Sequence, residues 1–206
     1  SVKVVYTLGE DDSVKINYSA TTDKTTIINL TNHAYFNLNN KVSNNILNHY
    51  LHINADRIVA CNEALIPTGH IISIKNTPLD FTHAQTIGSR ITDSFPHHLF
   101  QGKGYVVSYV LNEPAQTLSL AATVVAKESG RVMQVYTDQP GLQFYSGWLF
   151  DGSDTGKNRQ RYTNSSGLAL EAQGFPDAPN HPAFPSIVLQ PDEVYRQTTV
   201  YRFLIE

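Results

Sequence analysis

The stretch Ser13-Val14-Lys15-Ile16-Asn17-Tyr18-Ser19-Ala20 decides the fold. Val14, Ile16 and Tyr18 alternate with Lys15, Asn17 and Ser19, and a period of two puts the apolar groups on one side of an extended chain. That is a half-buried strand, one face to a core and the other to water. The preceding run, Val2 to Leu8, reaches it through Gly9-Glu10-Asp11-Asp12, a polar connection suited to a hairpin. Outward from this pair the pattern recurs. Further strands are predicted over Thr25 to Leu30, His49 to Ile53, Tyr105 to Leu111, Leu118 to Ala126 and Arg131 to Thr137. Then come Leu142 to Phe150, Leu168 to Ala172, Ser186 to Leu189 and Val194 to Phe203.

Turn residues punctuate these runs at Pro67-Thr68-Gly69, Glu128-Ser129-Gly130, Gln139-Pro140-Gly141 and Asp151-Gly152. No segment sustains an apolar stripe of period 3.6, so helices are expected to be few and short, with His83 to Arg90 the best candidate. Strands recurring every 8–12 residues or so predict an all-β sandwich of mostly antiparallel strands. Without an internal repeat or linker, residues 1–206 are expected to form one domain.

Composition narrows the function. The chain has 206 residues, 41% of them hydrophobic and 16% charged, which suits a globular core. Net charge is −3 and the lysines and arginines are scattered, so neither nucleic acid nor a membrane surface is an expected partner. No apolar run approaches the roughly 20 residues that cross a bilayer. The lone cysteine, Cys61, permits no internal disulfide, and the eight histidines show no His-x-x-x-His spacing. Adjacent His97 and His98 read as surface loop. No metal or cofactor is expected.

Two segments interrupt apolar strand with polar groups. In Asn29-Leu30-Thr31-Asn32-His33-Ala34-Tyr35-Phe36-Asn37-Leu38, buried polar groups must find partners, either in a structural network or on a ligand. His33 is then a satisfied core histidine or a functional one. In Leu168-Ala169-Leu170-Glu171-Ala172-Gln173-Gly174-Phe175-Pro176-Asp177, Glu171 lies among small and apolar residues, where a carboxylate is costly unless paired. It is either an arginine's partner or a base whose pKa burial raises toward neutrality. A third patch, Pro140 to Trp148, sets Gln143 among aromatic residues, which serves equally for a core strand and for the hydroxyl edge and C–H face of a sugar.

These segments together resemble the aldose 1-epimerase (galactose mutarotase) family. Asn32-His33-Ala34-Tyr35-Phe36-Asn37-Leu38 is similar to its Asn-His-(small)-Tyr-Phe-Asn-Leu signature. Leu65-Ile66-Pro67-Thr68-Gly69, Thr77-Pro78-Leu79-Asp80-Phe81 and Pro140-Gly141-Leu142-Gln143-Phe144-Tyr145 resemble further family motifs, as do Leu170-Glu171-Ala172-Gln173 with Pro176-Asp177-Ala178-Pro179-Asn180 and the closing Pro191-Asp192-Glu193-Val194-Tyr195. They occur in family order along nearly the whole chain.

The resemblance implies a galactose mutarotase-like supersandwich. It implies His33 as general acid, Glu171 as general base and Gln143 as a sugar ligand, with Asn37, Tyr35 and Trp148 as further sugar contacts. The implied reaction interconverts α and β anomers of free hexoses by acid–base ring opening. The alternative is a catalytically weak or inactive carbohydrate-binding protein on the same scaffold. Glu171 and His33 are expected to face each other across the sugar, too far apart for a direct hydrogen bond. Two departures from the pattern stand out. Val106 occupies the place of the family's sugar-binding Asp in Gly104-Tyr105-Val106-Val107-Ser108-Tyr109. The family's N-terminal part is absent, so this segment is expected as a partner in a separate chain. The family's habit implies a cytoplasmic location, while sequons at Asn17, Asn29 and Asn164 leave secretion open.

Overall fold

The computed structural model describes residues 1–39, 45–91, 104–113 and 115–206. Its opening hairpin forms where the alternation places it. Strands β1 (Val2–Leu8) and β2 (Ser13–Ala20) pair antiparallel with Val5 opposite Asn17. Asp12 takes the left-handed conformation in the turn, with φ 57°, which Asp tolerates. The sheet continues from β2 to β14 (Tyr195–Ile205), β10 (Arg131–Thr137), β9 (Ser119–Ala126), β4 (Tyr50–Ile53) and β7 (Gln85–Thr86). A five-stranded sheet runs in the order β12 (Ala169–Gln173), β11 (Gly141–Tyr145), β8 (Val106–Val110), β5 (Arg57–Cys61) and β6 (Pro67–Ser73). A ribbon joins β13 (Val188–Leu189) to β3 (Thr26–Ile27). All these pairings are antiparallel.

The two larger sheets share one core. Ile16, Leu51, Val124 and Met133 of the first meet Val107, Tyr109, Leu142, Phe144 and Leu170 of the second, all buried. Burial of each such side chain stabilises the fold by about 1.5–3 kcal/mol. Tyr201 donates its hydroxyl hydrogen to the Leu170 carbonyl at 3.0 Å and Gln197 Nε2 donates to Ala172 O at 2.9 Å, tying the layers together. Because side chains alternate, the other face of the five-stranded sheet carries Val106 and Ser108 on β8, Gln143 and Tyr145 on β11, and Glu171 and Gln173 on β12. That face holds the candidate site.

Several boundaries differ from the sequence reading. The strand expected over Thr25 to Leu30 contracts to β3, because the Asn29 side chain grips Gly174 instead, accepting from its N–H at 2.8 Å and donating to its carbonyl at 3.1 Å. The strand expected to reach Phe150 ends at Tyr145. Gly147 turns the chain with φ 67° so close to Gly167 that a Cβ would lie 2.2 Å from its carbonyl oxygen. β5 shows no alternation since both of its faces are covered, Ile58 by the main core and Val59 by a smaller cluster with Phe175, Ala178 and Phe184. The Pro67-Thr68-Gly69 turn signal lies inside β6, an edge strand that tolerates proline at its first residue and pairs across an irregularity in register. The expected helix over His83 to Arg90 resolves into β7 and a 3₁₀ turn at Ile87–Arg90. No α-helix occurs among the described residues, and none there could cross a membrane. His97 and His98 lie outside the described residues.

A buried histidine underpins the chain at Leu38. His49 is 0% exposed, its Nε2 accepts from Leu38 N–H at 2.9 Å, and its Nδ1 therefore donates to Asn48 Oδ1 at 3.1 Å. This is a neutral imidazole, and burial pushes its pKa down to about 4. An unfolded histidine titrates near 6.5 or so. Between these values the unfolded chain holds a proton that the folded chain does not, so stability falls as pH drops. The stability lost from pH 7 to pH 4 through this group alone should be about 3 kcal/mol. Urea midpoints across that range, compared with those of His49→Gln, test it: the variant should show a flatter profile, and an unchanged profile would remove His49 as the cause.

Candidate active site

The segment that sequence reading singled out around His33 is stapled along β12. At one end Asn29 holds Gly174, and Thr31 Oγ1 donates to the Ala172 carbonyl at 2.9 Å. At the other, Phe36 and Leu168 exchange two backbone hydrogen bonds of 2.8 and 2.9 Å. Between them Asn32 Oδ1 accepts from Ala34 N–H at 3.1 Å, bending the chain around His33. The polar side chains of this segment thus serve its backbone, as buried amides must. His33 is different. Its side chain is 47% exposed and points at Glu171, whose side chain is 10% exposed.

His33 Nε2 lies 3.3 Å from Glu171 Oε1. The expectation that the pair would stand too far apart for direct contact is therefore corrected. A carboxylate this buried needs a positive or donating partner, and no arginine takes that place in the ion pairs of the described residues. Burial raises the Glu171 carboxyl above its ordinary 4.5, and the nearby His33 imidazole partly offsets this. Tyr35 packs on His33 with ring centroids 4.8 Å apart, and Tyr145 meets the imidazole edge-on at 6.2 Å. The Tyr35 phenol is itself raised, first by burial and then by Tyr145 and Glu171.

A cavity of about 450 Å³ opens over this pair. Gln143 and Tyr145 line it beside Glu171, Trp148 closes one side, and Val106 lies in its wall. The strands put Gln143 directly opposite Glu171, so their side chains share one rung of the sheet. Of the six residues proposed from sequence, His33, Glu171, Gln143 and Trp148 thus meet at one cavity. Tyr35 and Asn37 line a neighbouring cavity of about 540 Å³ with Phe150, Asp154 and Tyr162. Asn37 Nδ2 donates there to Ser166 O at 2.9 Å and its Oδ1 accepts from Asn39 N–H at 3.0 Å.

Sequence reasoning missed Ser108 and the apolar wall of Val59, Cys61, Leu65 and Leu149. Ser108 is the one serine within β8, on the same parity as Val106, and that parity was the available signal. Among the described residues no cluster of three or more His, Cys, Asp or Glu is placed to hold a metal ion. Chemically, the site offers a buried carboxylate touching an imidazole, an amide within the same rung, and aromatic faces around them. That arrangement can exchange protons with a small polyhydroxylated ligand.

Comparison with known proteins bears on the family and the fold. The family profile described as aldose 1-epimerase matches residues 1–202. Galactose mutarotase of Mus musculus is 41% identical over 204 residues, covering 99% of this chain and 57% of that protein. Aldose 1-epimerase of Escherichia coli K12 is 37% identical over 206 residues, covering 98% and 58%. The crystal structure of galactose 1-epimerase from Lactobacillus acidophilus NCFM superposes with a TM-score of 0.84 at 25% identity, over 99% of this chain and 57% of that one. The chain therefore spans under three-fifths of the length of these relatives. Its sheets, the motif order and these matches place the chain in the aldose 1-epimerase family.

Proposed function

We propose that this chain carries the acid–base pair of an aldose 1-epimerase, interconverting the α and β anomers of a free hexose such as galactose. The observation that carries the reading is the contact of 3.3 Å between His33 Nε2 and Glu171 Oε1 in the floor of a cavity. In a hemiacetal the C1 hydroxyl and the ring oxygen are attached to the same carbon. An acid and a base that stand side by side can each engage one of these oxygens, so separation across the ring is unnecessary. As the sugar enters, the ion pair opens around them.

Glu171 takes the proton of the C1 hydroxyl while C1=O forms. The bond from C1 to the ring oxygen breaks, and His33 delivers its Nε2 proton to that oxygen. Rotation about C1–C2 and the reverse transfers close the other anomer and restore both residues. Burial that raises the Glu171 carboxyl makes it a stronger base than a free carboxylate, which suits general-base catalysis. Gln143, on the Glu171 rung, donates to and accepts from sugar hydroxyls, and the half-buried ring of Trp148 offers a face to the C–H groups of the sugar. Tyr35 orients His33 by packing, while Asn37 supports the loop from the neighbouring cavity.

Polarimetry of freshly dissolved α-galactose and α-glucose tests the reading. Rotation should relax in proportion to protein concentration, faster than in buffer. Binding of the sugar without acceleration would favour the non-catalytic carbohydrate-binding reading, for which the apolar Val106 speaks.

The same proposal includes a partner and a place. Strand β1 forms an edge and is exposed along its length, with Val2 at 59%, Tyr6 at 62% and Leu8 at 81%. Open edges with apolar side chains recruit further strands. A segment corresponding to the N-terminal part of the family fold, carried by a separate chain, fits that edge. Native size-exclusion chromatography should return a smaller co-eluting chain, and a fully active 22.9 kDa monomer would overturn this. A cytoplasmic location accords with the habit of the family and with a chain whose single cysteine permits no internal disulfide.

A further inference from the structure

We infer that Ser108, with the indole N–H of Trp148, forms a second, uncharged recognition subsite in the cavity, which selects neutral aldoses presenting one hydroxyl beside a C–H or deoxy edge. The inference rests on the aldose reading of the site and adds to it which end of the sugar is read, and by what.

Ser108 stands directly opposite Gln143, and Gln143 directly opposite Glu171, so the three side chains form one rung across β8, β11 and β12. The ends of that rung are two strand spacings apart, about 10 Å. A six-membered sugar ring with a hydrogen bond of about 2.8 Å at either end covers a similar length. With C1 held by Glu171 at one end, the far edge of the ring reaches Ser108.

The Ser108 hydroxyl has no hydrogen-bond partner among the described residues, although the residue is only 6% exposed. Trp148 Nε1 is also buried and unpartnered. Both side chains line the same cavity as His33 and Glu171. Buried polar groups are almost always paired, and leaving one unpaired destabilises a fold. Two such groups on residues that line one cavity fit a site prepared for a polar ligand. Trp148 is held in place: its carbonyl accepts from Asn164 Nδ2 at 2.9 Å, and it packs so tightly on Gly104 that a Cβ there would lie 2.6 Å from its Cδ1.

The surrounding wall sets the ligand class. Val59, Val106, Leu65 and Leu149 contribute no charge and no hydrogen bond from their side chains. A sugar edge bearing several hydroxyls would lose water there without repayment, and an ionised edge would fare worse. An edge with one hydroxyl for Ser108 and C–H groups for the wall loses nothing.

The test uses Ser108→Ala, Ser108→Thr and Trp148→Phe in the complete protein, with galactose and its monodeoxy analogues, measuring mutarotation by polarimetry and Kd by calorimetry. Ser108→Ala should raise KM and Kd for galactose by about tenfold, leave kcat unchanged and not lower the thermal midpoint. Ser108→Thr should keep most of the affinity. For one monodeoxy sugar, lacking the hydroxyl that Ser108 reads, wild type and Ser108→Ala should bind equally. Trp148→Phe should weaken binding in the same manner. A hydroxyl that is merely buried predicts that Ser108→Ala changes Kd for no sugar, which overturns the subsite. If the epimerase reading alone is wrong, rotation stays at the buffer rate while the calorimetric pattern with Ser108→Ala persists. A wild-type protein that binds none of these sugars overturns both.

Discussion

Glu171→Gln is expected to lower the catalysed mutarotation rate by roughly 10²–10⁴-fold with little change in fold. Glutamine preserves the length and shape of the side chain, and its carbonyl can still accept from His33 Nε2 across the present 3.3 Å. What it loses is the capacity to take the proton of the C1 hydroxyl. The carboxylate is mostly buried and held above its ordinary pKa by that burial, so replacing it with a neutral amide removes a desolvated charge and leaves the packing of β12 intact. The thermal midpoint should stay the same or rise, and calorimetric binding of galactose should persist. A rate within a few-fold of wild type would remove Glu171 from the chemistry. Loss of both rate and fold would mean the carboxylate is structural.

His33→Phe is expected to have the second large effect. The ring keeps its packing against Tyr35, now 4.8 Å between centroids, but carries no proton. The rate should again fall by roughly 10²–10⁴-fold, and the double variant with Glu171→Gln should be little slower than either single one, because the two residues act on one event. The sign of a second readout is distinctive. The His33 imidazole lowers the Glu171 carboxyl against the upward pull of burial. Without it the carboxyl rises further, so the residue is protonated over a wider pH range. Carboxyl titration by NMR should show that upward movement in His33→Phe. A titration that stays in place would mean the contact has no electrostatic weight.

Much of this could be read directly from the chain. The alternation of Val14, Ile16 and Tyr18 gave β2 its face, and the matching run before it gave β1 as its partner, because period two is a local property that survives any tertiary arrangement. Glu171 announced itself as a carboxylate among alanines and leucines, and His33 by its place in a family motif. The roles of their neighbours were less legible. Asn29, Asn32 and Asn37 look as functional as His33 in one dimension, yet their amides hold backbone at Gly174, Ala34 and Ser166.

Composition and periodicity by themselves determined an all-β chain with little helix, most of its strands, and a short roster of residues able to carry proton chemistry. These follow from side-chain spacing along a strand and from the cost of burying charge. Only the tertiary structure decided which of them meet. Glu171, Gln143 and Ser108 lie far apart in the chain and become one rung through strand register, which depends on pairing partners distant in sequence. β5 stayed hidden because its two faces pack against different clusters, which erases the alternation that marks a strand. The direct contact of His33 with Glu171 was likewise beyond local reading, since it is set by two staples, at Asn29 and at Phe36, that hold a loop against a strand more than a hundred residues away.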